Sequence, residues 1–360
     1  MDNVTHSLTG LALSRIGLGR WCPRATLLLI LSANAPDVDV VTAFRGPLAY
    51  FEAHRGYTHS LVMLPLMALL TVLLVGLPFR RKLPWLTAYV LACIGVASHL
   101  LLDWTNSYGV RLLLPFSPRW FYLDVNALYD VSILAVLLLA AIWPMFARLV
   151  SSEIGARGPS GKGSAVFALA FFVFFDIGRA VLHGRAVAQL DARLYDDAPP
   201  LRTSALPDRF SPFRWTGIVE TEASYLLTPV DTFGDFAPEN SEKFYKPPML
   251  PLERVNSTPP FHYLLYFARF PVWSIQPVLL NEGEGTRLEL TDLRFGTPGS
   301  GSFHCVALQN RNGQLLLFTF TFGSGRDLGW GEGRGTLPSG RSTLWRFRQE
   351  FADDSTTQLE

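Results

Sequence analysis

The sequence has little charge and few cysteines. Only 17% of its 360 residues are charged, against 49% hydrophobic, and its mean hydropathy is positive. Those proportions exclude an ordinary soluble protein of this length and point to a membrane protein. The net charge of +1 provides no basic field for a nucleic acid. The three cysteines, Cys22, Cys93 and Cys305, are odd in number and far apart, which excludes a disulfide framework and a thiolate metal site. No Lys or Arg precedes the first apolar residues, and Arg15 is the first basic residue, so the start does not read as a cleavable signal. There is no Gly-x-Ser-x-Gly elbow and no Ser/His/Asp order suited to acyl transfer. No internal repeat is present.

Long apolar runs fill the first half instead. Asn3 to Leu18 reads as a helix with one polar face that carries His6. Ala25 to Ala33 is apolar but too short to cross a bilayer, and Pro36 ends it. Val40 to Thr58 reads as a loop with short helical pieces. Ser60 to Pro78, Pro84 to Leu102, Val131 to Phe146 and Ala165 to Leu182 have the length and composition of spans. Beyond Gln189, proline becomes frequent and short β-branched stretches appear: Trp215 to Glu220, Arg287 to Leu293, Phe303 to Gln309 and Leu315 to Phe322. Asn312-Gly313 between the last two is a hairpin signal. The fold class expected is an α-helical polytopic membrane domain (1–188) followed by a β-rich soluble domain (195–350), with a polar, disordered tail at 351–360.

Basic residues favour the cytoplasmic ends of spans. Arg15/Arg20/Arg24, Phe79-Arg80-Arg81-Lys82 and Arg148/Arg157/Lys162 mark that side. The N-terminus, loops 36–58 and 103–129, and the β-rich domain then face outward. His6, Asp37, Asp39, His54, His59, His99 and Asp103 all fall at these outer ends, which predicts one shared site at the outer interface.

Imidazole and carboxylate in that number suit zinc, with manganese or iron as alternatives, and one to three ions. His99 and Asp103 stand one helical turn apart on one face. A turn after Pro36 brings Asp37 and Asp39 to the same place. Gly56 lets the backbone turn so that His54 and His59 both face inward. Asp39 or Asp103 is expected to act as general base. Arg55 is a candidate for holding substrate charge, as are Arg179 and His183, which share a helical face with Asp176. The bland readings are a capping role for the aspartates and a local Asp–Arg pair on the last span. His262 and His304 have no partners at ligand spacing and read as structural.

Met1-Asp2-Asn3-Val4-Thr5-His6-Ser7-Leu8-Thr9-Gly10, Ala35-Pro36-Asp37-Val38-Asp39, His54-Arg55-Gly56-Tyr57-Thr58-His59-Ser60 and His99-Leu100-Leu101-Leu102-Asp103, with Asn106-Ser107-Tyr108-Gly109 following, occur in that order. This set resembles the YdjM-type membrane-bound metal-dependent hydrolases, also described as LexA-binding and inner-membrane-associated. The resemblance covers about residues 1–185. That family is distantly similar to zinc-dependent phospholipase C and related nucleases, all-helical phosphodiesterases with a His/Asp zinc cluster. The resemblance implies metal-dependent hydrolysis of a phosphoester in the inner, cytoplasmic membrane. A multi-pass chain with its active site on the outer face suits a lipid or lipid-linked substrate in the bilayer. No nucleic-acid partner is expected, because the basic loops are short and nothing resembles a recognition helix. The competing class is a non-catalytic metal-binding transporter or assembly factor. A transporter would place its polar residues near mid-membrane in several spans.

Overall fold

Helix α1 (Asn3–Arg15) begins where the Asp2 carboxylate accepts the N–H groups of Val4 and Thr5, satisfying two donors that a helix start leaves open. In the computed structural model, the described residues are 1–77, 83–153, 160–234, 236–246, 252–280, 283–322 and 333–334. The basic stop at Phe79 to Lys82, Arg157, the end of the expected β-rich domain and the tail at 351–360 lie outside them. The chain divides into two compact units, Met1–Pro248 and Met249–Glu360.

The first unit contains all the long helices. Short helix α2 (Ala25–Ser32) leads into a 3-10 segment, Ala35–Arg45, and α3 (Pro47–Ala53) follows. Then come α4 (Leu64–Gly76), α5 (Trp85–Trp104), α6 (Val131–Glu153) and α7 (Lys162–Asp191). Helix α2 is wedged between α1 and α5, and glycine sets both approaches. A Cβ on Gly10 of α1 would sit 2.7 Å from the Leu29 carbonyl oxygen, and one on Gly95 of α5 would sit 2.0 Å from Ser32 Oγ. Small residues at such crossings let backbones close up without a hydrophobic driving force from water. His6 lies four residues before Gly10 and His99 four residues after Gly95, so each crossing carries a histidine one turn away.

Leu28, Leu29, Val72, Ala88, Leu91 and Ala92 form one buried cluster among α2, α4 and α5. A second cluster joins Ala12 and Leu102 to Ile133, Leu137, Ala140, Ala168 and Phe172. Pro144 inside α6 removes the amide that would reach Ala140 O. Ser164 Oγ (3.0 Å) and Arg15 NH1 (3.3 Å) approach that carbonyl instead. A proline inside an apolar helix thereby ties α1, α6 and α7 together.

Among the described residues, three helices, α5, α6 and α7, are long and apolar enough to cross a membrane. Two bent pairs raise the number to as many as five: α2 with the 3-10 segment (48°), and Pro47–His59 with α4 (93°). The span read over Ser60 to Pro78 is therefore shorter than expected. Ser60 Oγ donates to Tyr57 O and accepts from the Met63 amide, holding a turn until Leu64. The 13 residues of α4 rise about 20 Å, short of a hydrocarbon layer of about 30 Å.

Beyond α7 lies a four-stranded antiparallel sheet in sequence order: β1 (Arg202–Pro207), β2 (Arg214–Glu220), β3 (Ser224–Asp231) and β4 (Glu242–Tyr245). It packs on the end of α7 through Ala186, Leu190, Ala205, Trp215 and Val219. The second unit has short helices α8 (Glu253–Asn256) and α9 (Pro259–Phe267). Its sheet runs β5 (Pro271–Leu280), β6 (Gly283–Asp292), β7 (Phe303–Asn310), β8 (Leu315–Phe322) and β9 (Gly333–Arg334), antiparallel and in order. The β7–β8 hairpin turns at Asn312-Gly313, where Gly313 takes φ +70°. The fold class is thus a helical half with several apolar candidate spans, followed by two antiparallel sheets.

Two outcomes follow. Gly10→Ala pushes a methyl into a backbone oxygen and is expected to cost about 1–3 kcal/mol, as overpacking does, read as a lower unfolding midpoint in detergent. Burial pushes the Cys305 thiol well above its ordinary range. Iodoacetamide at pH 8 should leave Cys305 unmodified, by mass spectrometry, until denaturant opens the sheet.

Candidate metal centre

Pro36 starts the 3-10 segment, and three residues per turn place Asp37 and Asp39 about 120° apart. They flank His59. Asp37 Oδ1 lies 3.4 Å from His59 Nε2, and Asp39 Oδ2 lies 3.4 Å from its Nδ1. After α3, Arg55 adopts a left-handed conformation (φ +54°), and its amide donates to Asp39 Oδ2 at 3.1 Å. The turn expected at Gly56 is therefore made by Arg55. Gly56 is needed for space, since a Cβ there would meet Ala53 O and Arg111 NH2, both at 2.7 Å.

The tautomers follow from the partners of the two Nδ1 atoms. His99 Nδ1 lies 2.7 Å from the Ala33 carbonyl oxygen, so it carries the proton and donates. Thr58 Oγ1 donates to Asp39 Oδ2 and lies 3.0 Å from His59 Nδ1, from which it accepts. Both Nε2 atoms are then bare, and they face each other at 3.1 Å. Two lone pairs at that distance repel unless a cation sits between them.

Two carboxylate oxygens complete the set. Asp103 Oδ2 lies 3.3 Å from His99 Nε2 and 3.5 Å from His59 Nε2, and Asp37 Oδ1 lies 3.4 and 3.7 Å from His59 and His99. A tetrahedral zinc ion with ligands at about 2.0–2.1 Å needs ligand–ligand edges of roughly 3.3–3.4 Å. Among these four atoms, the five separations that involve a histidine nitrogen are 3.1 to 3.7 Å, near that figure. The residues present fit a divalent cation.

Three overlapping groups can hold an ion: Asp37, His59 and His99; His6, His99 and Asp103; and Asp37, Asp39 and His54. All seven predicted ligands are thus brought together. The His6 ring stacks on His99 at 3.8 Å, and neither His6 nitrogen has a hydrogen-bond partner among the described residues. His54 Nδ1 donates to Asp39 Oδ1 at 3.2 Å, which leaves Nε2 bare. His59, His99 and Asp103 are fully buried, while Asp37 and His54 keep 16% and 14% exposure, so the cluster opens on their side.

Arg55 is buried among these anions. Its guanidinium meets Asp103 Oδ1 at 3.0 Å and Asn106 Oδ1 at 2.9 Å, over the Tyr108 ring. The amino group of Met1 also bonds Asp103 Oδ1. Arg55 thereby turns Oδ2 of Asp103 toward the histidines. Arg179 and His183 are seated elsewhere, at the contact of α7 with the first sheet. Arg179 pairs with Asp130 at 3.0 Å, and His183 lies 5.4 Å from the Trp215 ring. Thr58 and Asn106 had been noted only as motif letters; an uncharged residue gives no sign of its role until its partners are known.

The YdjM inner membrane protein profile matches residues 1–186, just over half of the chain and all of the cluster. The chain belongs to the YdjM inner membrane protein family. Together with the apolar helices, this membership places it in the inner membrane, associated with the lipid bilayer. It is 34% identical over 125 residues to the inner membrane protein YbcI of Escherichia coli (strain K12), covering 33% of this chain and 70% of that protein. It is 29% identical over 152 residues to the uncharacterized protein YfhP of Bacillus subtilis (strain 168), covering 40% of this chain and 46% of that one. The chain therefore spans less than half of YfhP. No solved structure matches.

Removing the Arg55 charge takes from buried Asp103 one of its two cations, the Met1 amino group being the other; breaking a buried pair typically costs up to about 3–5 kcal/mol. Arg55→Met should lower the unfolding midpoint in chelator accordingly. Arg55→Lys should recover only part of the loss, because one ammonium cannot span Asp103 and Asn106 as the guanidinium fork does.

Proposed function

We propose that this protein is a membrane-bound, metal-dependent hydrolase acting on a phosphoester, with its site on the extracytoplasmic face. The observation that carries the reading is the meeting of two imidazole nitrogens, 3.1 Å apart, with one oxygen each of Asp37 and Asp103 at 3.3 to 3.7 Å from them. His59, His99, Asp37 and Asp103 would hold the first ion, zinc being the best fit by ligand type and spacing. His6 and His54 extend the set toward a second or third. A bound divalent cation there supplies a Lewis acid that polarises a phosphoryl oxygen and a water.

The protein's own groups have separable parts. Asp39 accepts from the Arg55 amide, Thr58 and His54, and faces His59 Nδ1. That surrounding suits an acceptor that orients two imidazoles. Asp103 Oδ2 has no hydrogen-bond partner among the described residues. Arg55 holds Asp103.

A lipid-linked substrate suits the same segment that carries the aspartates. Val38, Val40, Val41 and Phe44 alternate with or follow Asp37 and Asp39, and they are 48 to 91% exposed. One side of the 3-10 segment supports the cluster while the other presents apolar side chains to the surroundings. Orientation with the C-terminal sheets outside rests on the basic residues at the opposite helix ends. The alternative of a metal-binding transporter is less well supported, because the polar groups gather at one end of the helices.

Metal analysis of purified protein is expected to find zinc in the wild type, and far less in His59→Ala and Asp103→Ala. The wild type alone is expected to cleave phosphodiester lipids. A wild type free of metal, or unchanged occupancy in both variants, would sink the site. Metal without hydrolysis of phospholipid or nucleotide diesters would leave a binding protein. Cysteines introduced at positions 45 and 119 should react with impermeant reagents from outside only.

A further inference from the structure

A second feature stands apart from the cluster, where the first sheet meets α6 and α7. The Asp130 carboxylate caps α6 through the Ser132 and Ile133 amides (3.1 and 3.3 Å) and pairs with Arg179 of α7. Arg179 NH2 also donates to Asp208 O at 3.3 Å, and the Val131 amide donates to Arg209 O at 3.2 Å. The β1–β2 turn is therefore bonded to the first residue of one spanning helix and to the last part of another. Its height relative to the bilayer is fixed by those helices.

This turn and its neighbour between β3 and β4 carry large exposed rings. Phe210 is 71%, Phe213 46% and Phe233 67% exposed, and Phe213 meets Phe233 edge to face at 5.4 Å. Arginines accompany them: Arg185 of α7 lies over Phe233 at 5.1 Å and Arg209 over Phe210 at 5.7 Å, with Arg214 exposed beside Phe213. Rings mixed with cations in this way suit neither bulk water nor the hydrocarbon core. They suit the layer between, where amphipathic rings settle and phosphates meet guanidinium groups. Arg179 to Arg185 is a rise of about 9 Å along α7, somewhat more than one headgroup layer of roughly 5–7 Å.

We propose that the β1–β2 and β3–β4 turns form a membrane-interface anchor, in which Phe210, Phe213 and Phe233 enter the lipid headgroup layer and Arg185, Arg209 and Arg214 engage lipid phosphates. The occupant is the bilayer that α6 and α7 cross, since the patch is continuous with their emerging ends. The first sheet is then seated on the membrane and is not a free domain. This inference does not depend on the hydrolase reading.

The test uses the full chain in vesicles of phosphatidylethanolamine and phosphatidylglycerol, with Cys22, Cys93 and Cys305 each replaced by alanine. Nitroxide labels are attached at Phe210→Cys, Phe233→Cys and, as a reference, Glu222→Cys in the β2–β3 turn. That turn is at the far end of the strands, about 25 Å away. Collision with oxygen relative to a water-soluble nickel chelate should be several-fold higher at 210 and 233 than at 222. Equal ratios at the three positions would overturn the anchor and leave a protein partner as the occupant. Hydroxyl-radical footprinting of the unsubstituted protein in the same vesicles gives an independent reading. Phe210, Phe213 and Phe233 should be protected while Tyr245, 68% exposed and paired with Ser224 at the far end, is oxidised. Similar oxidation of all four rings would refute the proposal.

Discussion

Two imidazole nitrogens with unshared pairs, 3.1 Å apart and sealed from water, form an arrangement that a protein does not maintain without cause. Each is held there by its opposite nitrogen: His99 by a backbone carbonyl, His59 by Thr58 beside Asp39. Rotating either ring would strand a buried N–H, so the pair is locked from behind. The surrounding carboxylates add to the same imbalance, and buried Arg55 with the Met1 amino group offsets part of it. Nearly every polar contact in this part of the molecule can be understood as holding acceptors together against their own repulsion. The helix packing serves the same end, because the two glycine crossings on α2 bring α1 and α5 close enough for His6 and His99 to stack.

Much of the architecture was legible from composition and run length. α5, α6 and α7 coincide with long apolar runs, since nothing in water stabilises such helices alone. The β7–β8 hairpin was legible because Asn-Gly meets a specific backbone demand at the turn. Strands β1, β3 and β5 were harder to see. β5 contains Pro277, and β3 contains Pro229 with a mixed burial pattern, so alternation gave little signal. The bent pairs were also obscure, because a hydropathy run does not record a 93° change of direction. What stops α4 early is a hydrogen-bonded turn around Ser60, a matter of a single hydroxyl.

For the site, the identity of the ligands was readable while their division of labour was not. His99 and Asp103 announce themselves by helical spacing, and Asp37 and Asp39 by the proline before them. Arg55 had been read as a residue for substrate charge, and its geometry gives it a part in holding Asp103. Arg179 had been read in the same way, and its partner is Asp130, forty-nine residues earlier in the chain. In both cases the charge was visible and the partner was not, because long-range pairing depends on the topology of packed helices. The turn ascribed to glycine at position 56 falls instead on the neighbouring arginine, which tolerates its left-handed backbone because amide and guanidinium are both bonded.

The order of the ligands along the chain has a consequence for biogenesis. His6, Asp37, Asp39, His54 and His59 all precede α5, and His99 with Asp103 arrives at its end. During synthesis, Asp37, Asp39, His54 and His59 can meet one another, while the contacts that His99 and Asp103 supply wait until the fifth helix is released. Lipid is a poor place for such groups to wait. The early helices are better kept in the hydrated interior of the insertion machinery and released as a group with α5. The cluster would then mark the moment at which the bundle closes.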